Sequence, residues 1–81
     1  MITIYSKSNC AFCQKAKALL EIKGITYAEV NIEQDTDARQ RLVEAGVRSV
    51  PQIFVDNEML PGGYNGLANQ PEEFFNNLKE S

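Results

Sequence analysis

The chain has 81 residues, 43% of them apolar, and a formal net charge of −3. This length predicts a single domain over residues 1–81 with a small core, and the apolar content argues against disorder. No apolar run approaches a membrane span and no signal peptide is evident, so the expected setting is cytoplasmic, with no membrane partner. The acidic balance, with no basic stripe interleaved with aromatics, argues against nucleic acid. With no histidine and two cysteines, a four-ligand zinc site is not expected, nor any other metal.

Ile2-Thr3-Ile4-Tyr5 alternates apolar and polar residues in a β pattern. A short polar loop, residues 6–9, feeds a predicted helix over residues 11–23. Phe12, Ala16, Leu19, Leu20 and Ile22 are its expected apolar side, Lys17 and Glu21 an expected pair, and Gly24 its stop. A second strand is predicted over residues 27–32. Strand, helix and strand make a right-handed βαβ unit, so these two strands should be parallel. Asp35 or Thr36 is positioned to cap a second helix over residues 37–45, with Ala38, Leu42, Val43 and Ala45 inward and Gly46 as its stop. Ile53-Phe54-Val55 is a third strand. Asp56-Asn57 is a tight turn, and residues 58–60 complete a hairpin. Residues 61–66 read as a turn-rich loop, residues 67–70 as helical, and Pro71 opens a last helix over residues 72–78 anchored by Phe74, Phe75 and Leu78. The order β-α-β-α-β-β-α is an α/β layout of thioredoxin type: a four-stranded mixed sheet flanked by three helices.

Between the first strand and the first helix stands Cys10-Ala11-Phe12-Cys13, which holds the only two cysteines. Cys-x-x-Cys at a strand-to-helix junction is the redox-active dithiol arrangement. Residues three apart on a helix share a face, so the two sulfurs can bond. Cys10 falls at the helix N-terminus, where unpaired N–H groups and the helix dipole favour an anion. Such thiols titrate at roughly 3.5–7.5 rather than about 8.5. Cys10 is therefore the expected attacking thiolate and Cys13, inside the first turn, the resolving thiol. Positive charge gathers nearby: residues 1–28 carry Lys7, Lys15, Lys17 and Lys23 against Glu21 alone.

Four segments resemble the small dithiol glutaredoxins, in order and at matching spacing along essentially the whole chain. They are residues 4–13 around the cysteines, residues 15–24 of the first helix, Gly46-Val47-Arg48-Ser49-Val50-Pro51-Gln52-Ile53-Phe54-Val55, and Gly62-Gly63-Tyr64. The resemblance implies a glutaredoxin-like fold and a glutathione-dependent thiol–disulfide oxidoreductase. Its expected partners are glutathione, as co-substrate, and proteins carrying disulfides or glutathione mixed disulfides. It also implies a monomer. Lys7 would steady the Cys10 thiolate or hold a glutathione carboxylate. Phe12 stands where the family usually has tyrosine and would keep an aromatic wall. Ser49, Val50 and Pro51 would form the groove segment, with Val50–Pro51 in the cis form that X–Pro bonds adopt at a cost of only about 0.5–1 kcal/mol. The Val50 backbone would then pair with glutathione like an added strand, with Arg48 and Gln52 flanking it. Gly63, Tyr64 and Asn65 would offer N–H groups to the γ-glutamyl carboxylate.

Two positions depart from the family pattern. Ala11 replaces the common proline, and Gly66 stands where many members have an acidic residue that meets the γ-glutamyl amino group. A charge-assisted bond is roughly twice as strong as a neutral one, so weaker glutathione binding is expected. Related proteins suggest two further possibilities: a ribonucleotide reductase donor fed by thioredoxin reductase, and an iron–sulfur cluster carrier.

Overall fold

The computed structural model describes residues 2–47 and 49–79. In chain order these form β1 (Ile2–Ser6), α1 (Ala11–Ile22), β2 (Tyr27–Asn31), α2 (Thr36–Glu44), β3 (Gln52–Val55), β4 (Glu58–Leu60), α3 (Gly63–Ala68) and α4 (Glu72–Lys79). The strands lie in the order β2-β1-β3-β4. β1 and β2 are parallel, as the βαβ reading required, with Ile4 opposite Glu29. β3 runs antiparallel to both β1 and β4, with Ile53 opposite Ile4 and Leu60. Asp56 and Asn57 close the hairpin with φ of 50° and 76°, the pair of positive values that a type I′ turn needs.

The period-two alternation of the central strands divides the apolar residues between two cores. Ile2, Ile4 and Ile53 meet Ala16, Leu20, Ile25, Leu67 and Phe75 on one face. Tyr5 and Phe54 meet Ala38 and Leu42 of α2 on the other. Their rings stack edge to face, with centroids 5.1 Å apart. Arg41 caps this second core: its guanidinium lies 4.7 Å from the Phe54 ring centroid and donates to the Tyr5 hydroxyl at 3.0 Å.

Four expectations change. Phe12 and Ile22 are 51% and 81% exposed, so the buried stripe of α1 is Cys13, Ala16 and Leu20, at helical spacing. On α2, Val43 is 58% exposed and Ala45 also lies outside, for the same geometric reason. Lys17 pairs with Glu29 of β2 at 2.8 Å rather than with Glu21, because Glu29 is already oriented by the buried Ser6 hydroxyl at 2.9 Å. Glu21 instead accepts from the Tyr27 hydroxyl at 2.7 Å. Burial, helped by that bond, pushes the phenol up to about 12. Finally, residues 63–66 are not loop. They begin α3, a short fourth helix, drawn in because Leu67 is fully buried and Tyr64 packs on the same core.

Candidate active site

The first helix begins at the dithiol. Cys10 is the N-cap of α1, in extended conformation, and its Sγ accepts the Cys13 N–H at 3.2 Å. A sulfur thus occupies the place usually taken by a Ser or Asp oxygen, satisfying a donor that the helix leaves unpaired. The two cysteines are joined as a disulfide, with Cα atoms 5.2 Å apart. Cys13 is 1% exposed and Cys10 9%. Cys10 is the more open of the two, as the attacking role requires.

Across from Cys10 lies the segment before β3. The Val50–Pro51 bond is cis, and the Val50 carbonyl oxygen is 3.8 Å from the Cys10 Sγ. A groove of about 430 Å³ opens beside this contact, lined by Phe12, Val47, Ser49, Val50, Pro51, Gln52, Gly62, Gly63, Tyr64 and Asn65. Phe12 and Tyr64 form one wall, ring centroids 5.9 Å apart, and the Lys15 ammonium sits 5.1 Å from the Phe12 ring. Gly63 brings the start of α3 against the groove floor: a Cβ there would stand 2.9 Å from the Pro51 carbonyl oxygen.

The structure therefore gathers Phe12, Ser49, Val50, Pro51, Gln52, Gly63, Tyr64 and Asn65 around one groove, which meets the dithiol at the Val50 carbonyl. Gln52 is buried, and its amide donates to the Ser49 carbonyl at 2.8 Å and to the Ser49 hydroxyl at 3.3 Å. It braces the groove segment from behind. Lys7 is exposed and stands outside the groove lining. Its charge acts on Glu33, whose carboxylate accepts the Ser8 N–H at 2.8 Å. That backbone bond is the main reason the Glu33 carboxyl is held below its usual range. Arg48 lies outside the described residues. Val47 and Gly62 also line the groove. Both contribute by position on the chain and carry no functional group that a sequence would flag.

A Cys-x-x-Cys disulfide capping the first helix of this sheet, facing a cis X–Pro bond, defines a thioredoxin-fold dithiol–disulfide oxidoreductase. The family model described as Glutaredoxin matches residues 2–60. A probable glutaredoxin of Synechocystis is 43% identical over 63 residues, covering 75% of this chain and 72% of that protein. Glutaredoxin 3 of Escherichia coli K12 is 37% identical over 62 residues, covering 75% of each. The crystal structure of a wheat glutaredoxin superposes with a TM-score of 0.82 at 26% identity, covering 99% of this chain and 80% of the other. The chain belongs to the glutaredoxin family, and it is a disulfide oxidoreductase whose redox pair is Cys10–Cys13.

Proposed function

We propose that this glutaredoxin reduces protein disulfides and glutathione mixed disulfides, with glutathione returning the electrons. The observation that carries the reading is the groove beside Cys10, which offers peptide-like recognition on two sides. The Val50 backbone, just ahead of β3, would pair with an extended peptide as an added strand does. The first N–H groups of α3, at Gly63, Tyr64 and Asn65, have no partner within the helix and suit a carboxylate. The Cys10 thiolate attacks one sulfur of the substrate disulfide, that S–S bond breaks, and the leaving sulfur takes a proton. Cys13, deprotonated, then attacks the Cys10 sulfur. It releases the second substrate thiol and leaves the Cys10–Cys13 disulfide. Two glutathione molecules reduce this disulfide in turn and depart as oxidised glutathione. We place this cycle in the cytoplasm, in a monomer of one domain spanning the chain.

A second reading has one specific observation in its favour. Gly66, at the position where the family resemblance implies an acidic residue, has no side chain, and a Cβ there would stand 1.8 Å from the Pro61 carbonyl oxygen. A ligand ammonium meets no carboxylate there. Electrons supplied by thioredoxin reductase, with ribonucleotide reductase as the recipient, fit that feature. Turnover of one disulfide substrate is compared using glutathione with glutathione reductase and using thioredoxin reductase. The glutathione reading expects the first system to be faster by about tenfold or more, each factor of ten being 1.36 kcal/mol of barrier. Preference for thioredoxin reductase would reverse the assignment.

A further inference from the structure

The chain reaches the dithiol through a loop that a carboxylate from another part of the fold holds in place. At the end of the β1–β2 ladder the Ile32 N–H donates to the Ser6 carbonyl at 2.8 Å. Just beyond it, the Glu33 carboxylate accepts the Ser8 N–H, also at 2.8 Å. We propose that Glu33 is a positioning residue for Cys10: its carboxylate fixes the loop from Lys7 to Asn9 and so keeps the Cys10 sulfur over the N-terminus of α1. The inference rests on the reading of Cys10 as the attacking thiolate.

The anchor is itself held. The Glu33 N–H donates to the Asn31 side-chain oxygen at 2.8 Å, and the Gln34 and Asp35 N–H groups donate to the Asn31 carbonyl at 3.1 and 3.0 Å. Glu33 therefore stands in a closed turn after β2. The segment it grips is short. Ser8 and Asn9 form a turn, with Asn9 at φ 59°, a left-handed conformation that residues other than glycine adopt uncommonly. Asn9 alone separates Ser8 from Cys10, so a displacement at Ser8 passes directly to the sulfur. The cap that favours a thiolate is one contact, from the Cys13 N–H to the Cys10 Sγ at 3.2 Å, and such a bond weakens with small changes of angle. The charge of Glu33 works the other way. A carboxylate near Cys10 disfavours the thiolate, while Lys7, whose charge acts on Glu33, favours it. Anchoring and charge thus predict opposite signs when the carboxylate is removed.

The test follows alkylation by iodoacetamide from acid to alkali in the full chain carrying Cys13→Ser. Cys10 is then the only thiol, and the capping N–H is kept. Glu33 is exposed, so replacing it leaves both cores intact. Glu33→Ala should raise the midpoint by about half a pH unit, the size expected when an anion at a helix N-terminus loses part of its alignment. Alkylation should slow by about threefold on the acid side of the midpoint and not at all where the thiol is fully ionised. Glu33→Gln keeps an acceptor oxygen for the Ser8 N–H and should leave the midpoint at the parent value or below it. Glu72→Ala, which cuts the bond between Lys23 and α4, should leave it in place. An acidic parent midpoint that Glu33→Ala does not move would overturn this inference alone. So would a fall with Glu33→Ala, equal movement in the Ala and Gln variants, or an equal rise with Glu72→Ala. A parent midpoint at the ordinary thiol value would overturn it together with the reading of Cys10.

Discussion

At the scale of single residues, the division of labour proposed for the two sulfurs rests on one capping bond. The Cys10 Sγ takes the Cys13 N–H, and so carries the helix's electrostatic preference for negative charge, while Cys13 is enclosed by the turn it belongs to. Cys10→Ser should abolish every disulfide exchange, since no thiolate remains to attack. Cys13→Ser should keep deglutathionylation, which needs one thiol, and lose reduction of protein disulfides to background. Parallel assays on a glutathionylated peptide and an intramolecular disulfide check this, and equal loss in both would reverse the roles. The cysteines were legible because two sulfurs at a fixed spacing before a helical run have few other uses. Val47 and Gly62 were not, because an aliphatic residue and a glycine carry no polar or reactive group that marks them as groove lining. Gln52 announced itself as a polar residue beside the groove, yet its amide is committed to Ser49. Which way a side chain turns depends on partners that local spacing does not reveal.

At the scale of elements, the strands, α1, α2 and the last helix were readable from period and punctuation. Asp35 caps α2 by accepting the Ala38 N–H at 3.0 Å, one of the two candidates its sequence offered. The start of α3 was not readable, because Gly63, Asn65 and Gly66 all disfavour helix locally. Burial of Leu67 and packing of Tyr64 override that preference. Gly66 is the element's tightest point. In an ordinary helix interior, replacing glycine with alanine stabilises by roughly 0.5–1 kcal/mol. Here the new Cβ would fall 1.8 Å from the Pro61 carbonyl oxygen, and backbone must move to admit it. Gly66→Ala should therefore destabilise, by about 1–3 kcal/mol as overpacking does. It should also weaken ligand binding, since the shifted segment carries Gly62 and Gly63 of the groove. Urea titration reads the sign directly, and a gain in stability would refute the close approach.

At the scale of the whole molecule, carboxylates pin together stretches far apart in the chain. Glu29 joins β2 to Ser6 of β1 and Lys17 of α1. Glu33 holds the Ser8 backbone just before the dithiol. Glu72 ties α4 to Lys23 at 2.6 Å. None of these partnerships was foreseen, because each forms only when the sheet brings its elements together. All three carboxyls are held below the usual 4.5: Glu29 chiefly by Lys17 and then Ser6, Glu33 by the Ser8 N–H, and Glu72 by Lys23. A group whose folded pKa is depressed stabilises fully above its unfolded value and loses that contribution as pH falls through the folded one. Stability should therefore be level near neutrality and decline below about pH 4.5 as the three bonds are protonated away. Glu29 is partly solvated and its pair correspondingly screened, so Glu29→Gln should cost only about 0.2–1 kcal/mol at pH 7. It should cost less still at pH 3, where the parent carboxylate is also being neutralised. Denaturant titrations of both proteins at the two pH values make the comparison. Curves that stay parallel from neutrality to acid would show that Glu29 is not among the groups linking proton uptake to unfolding.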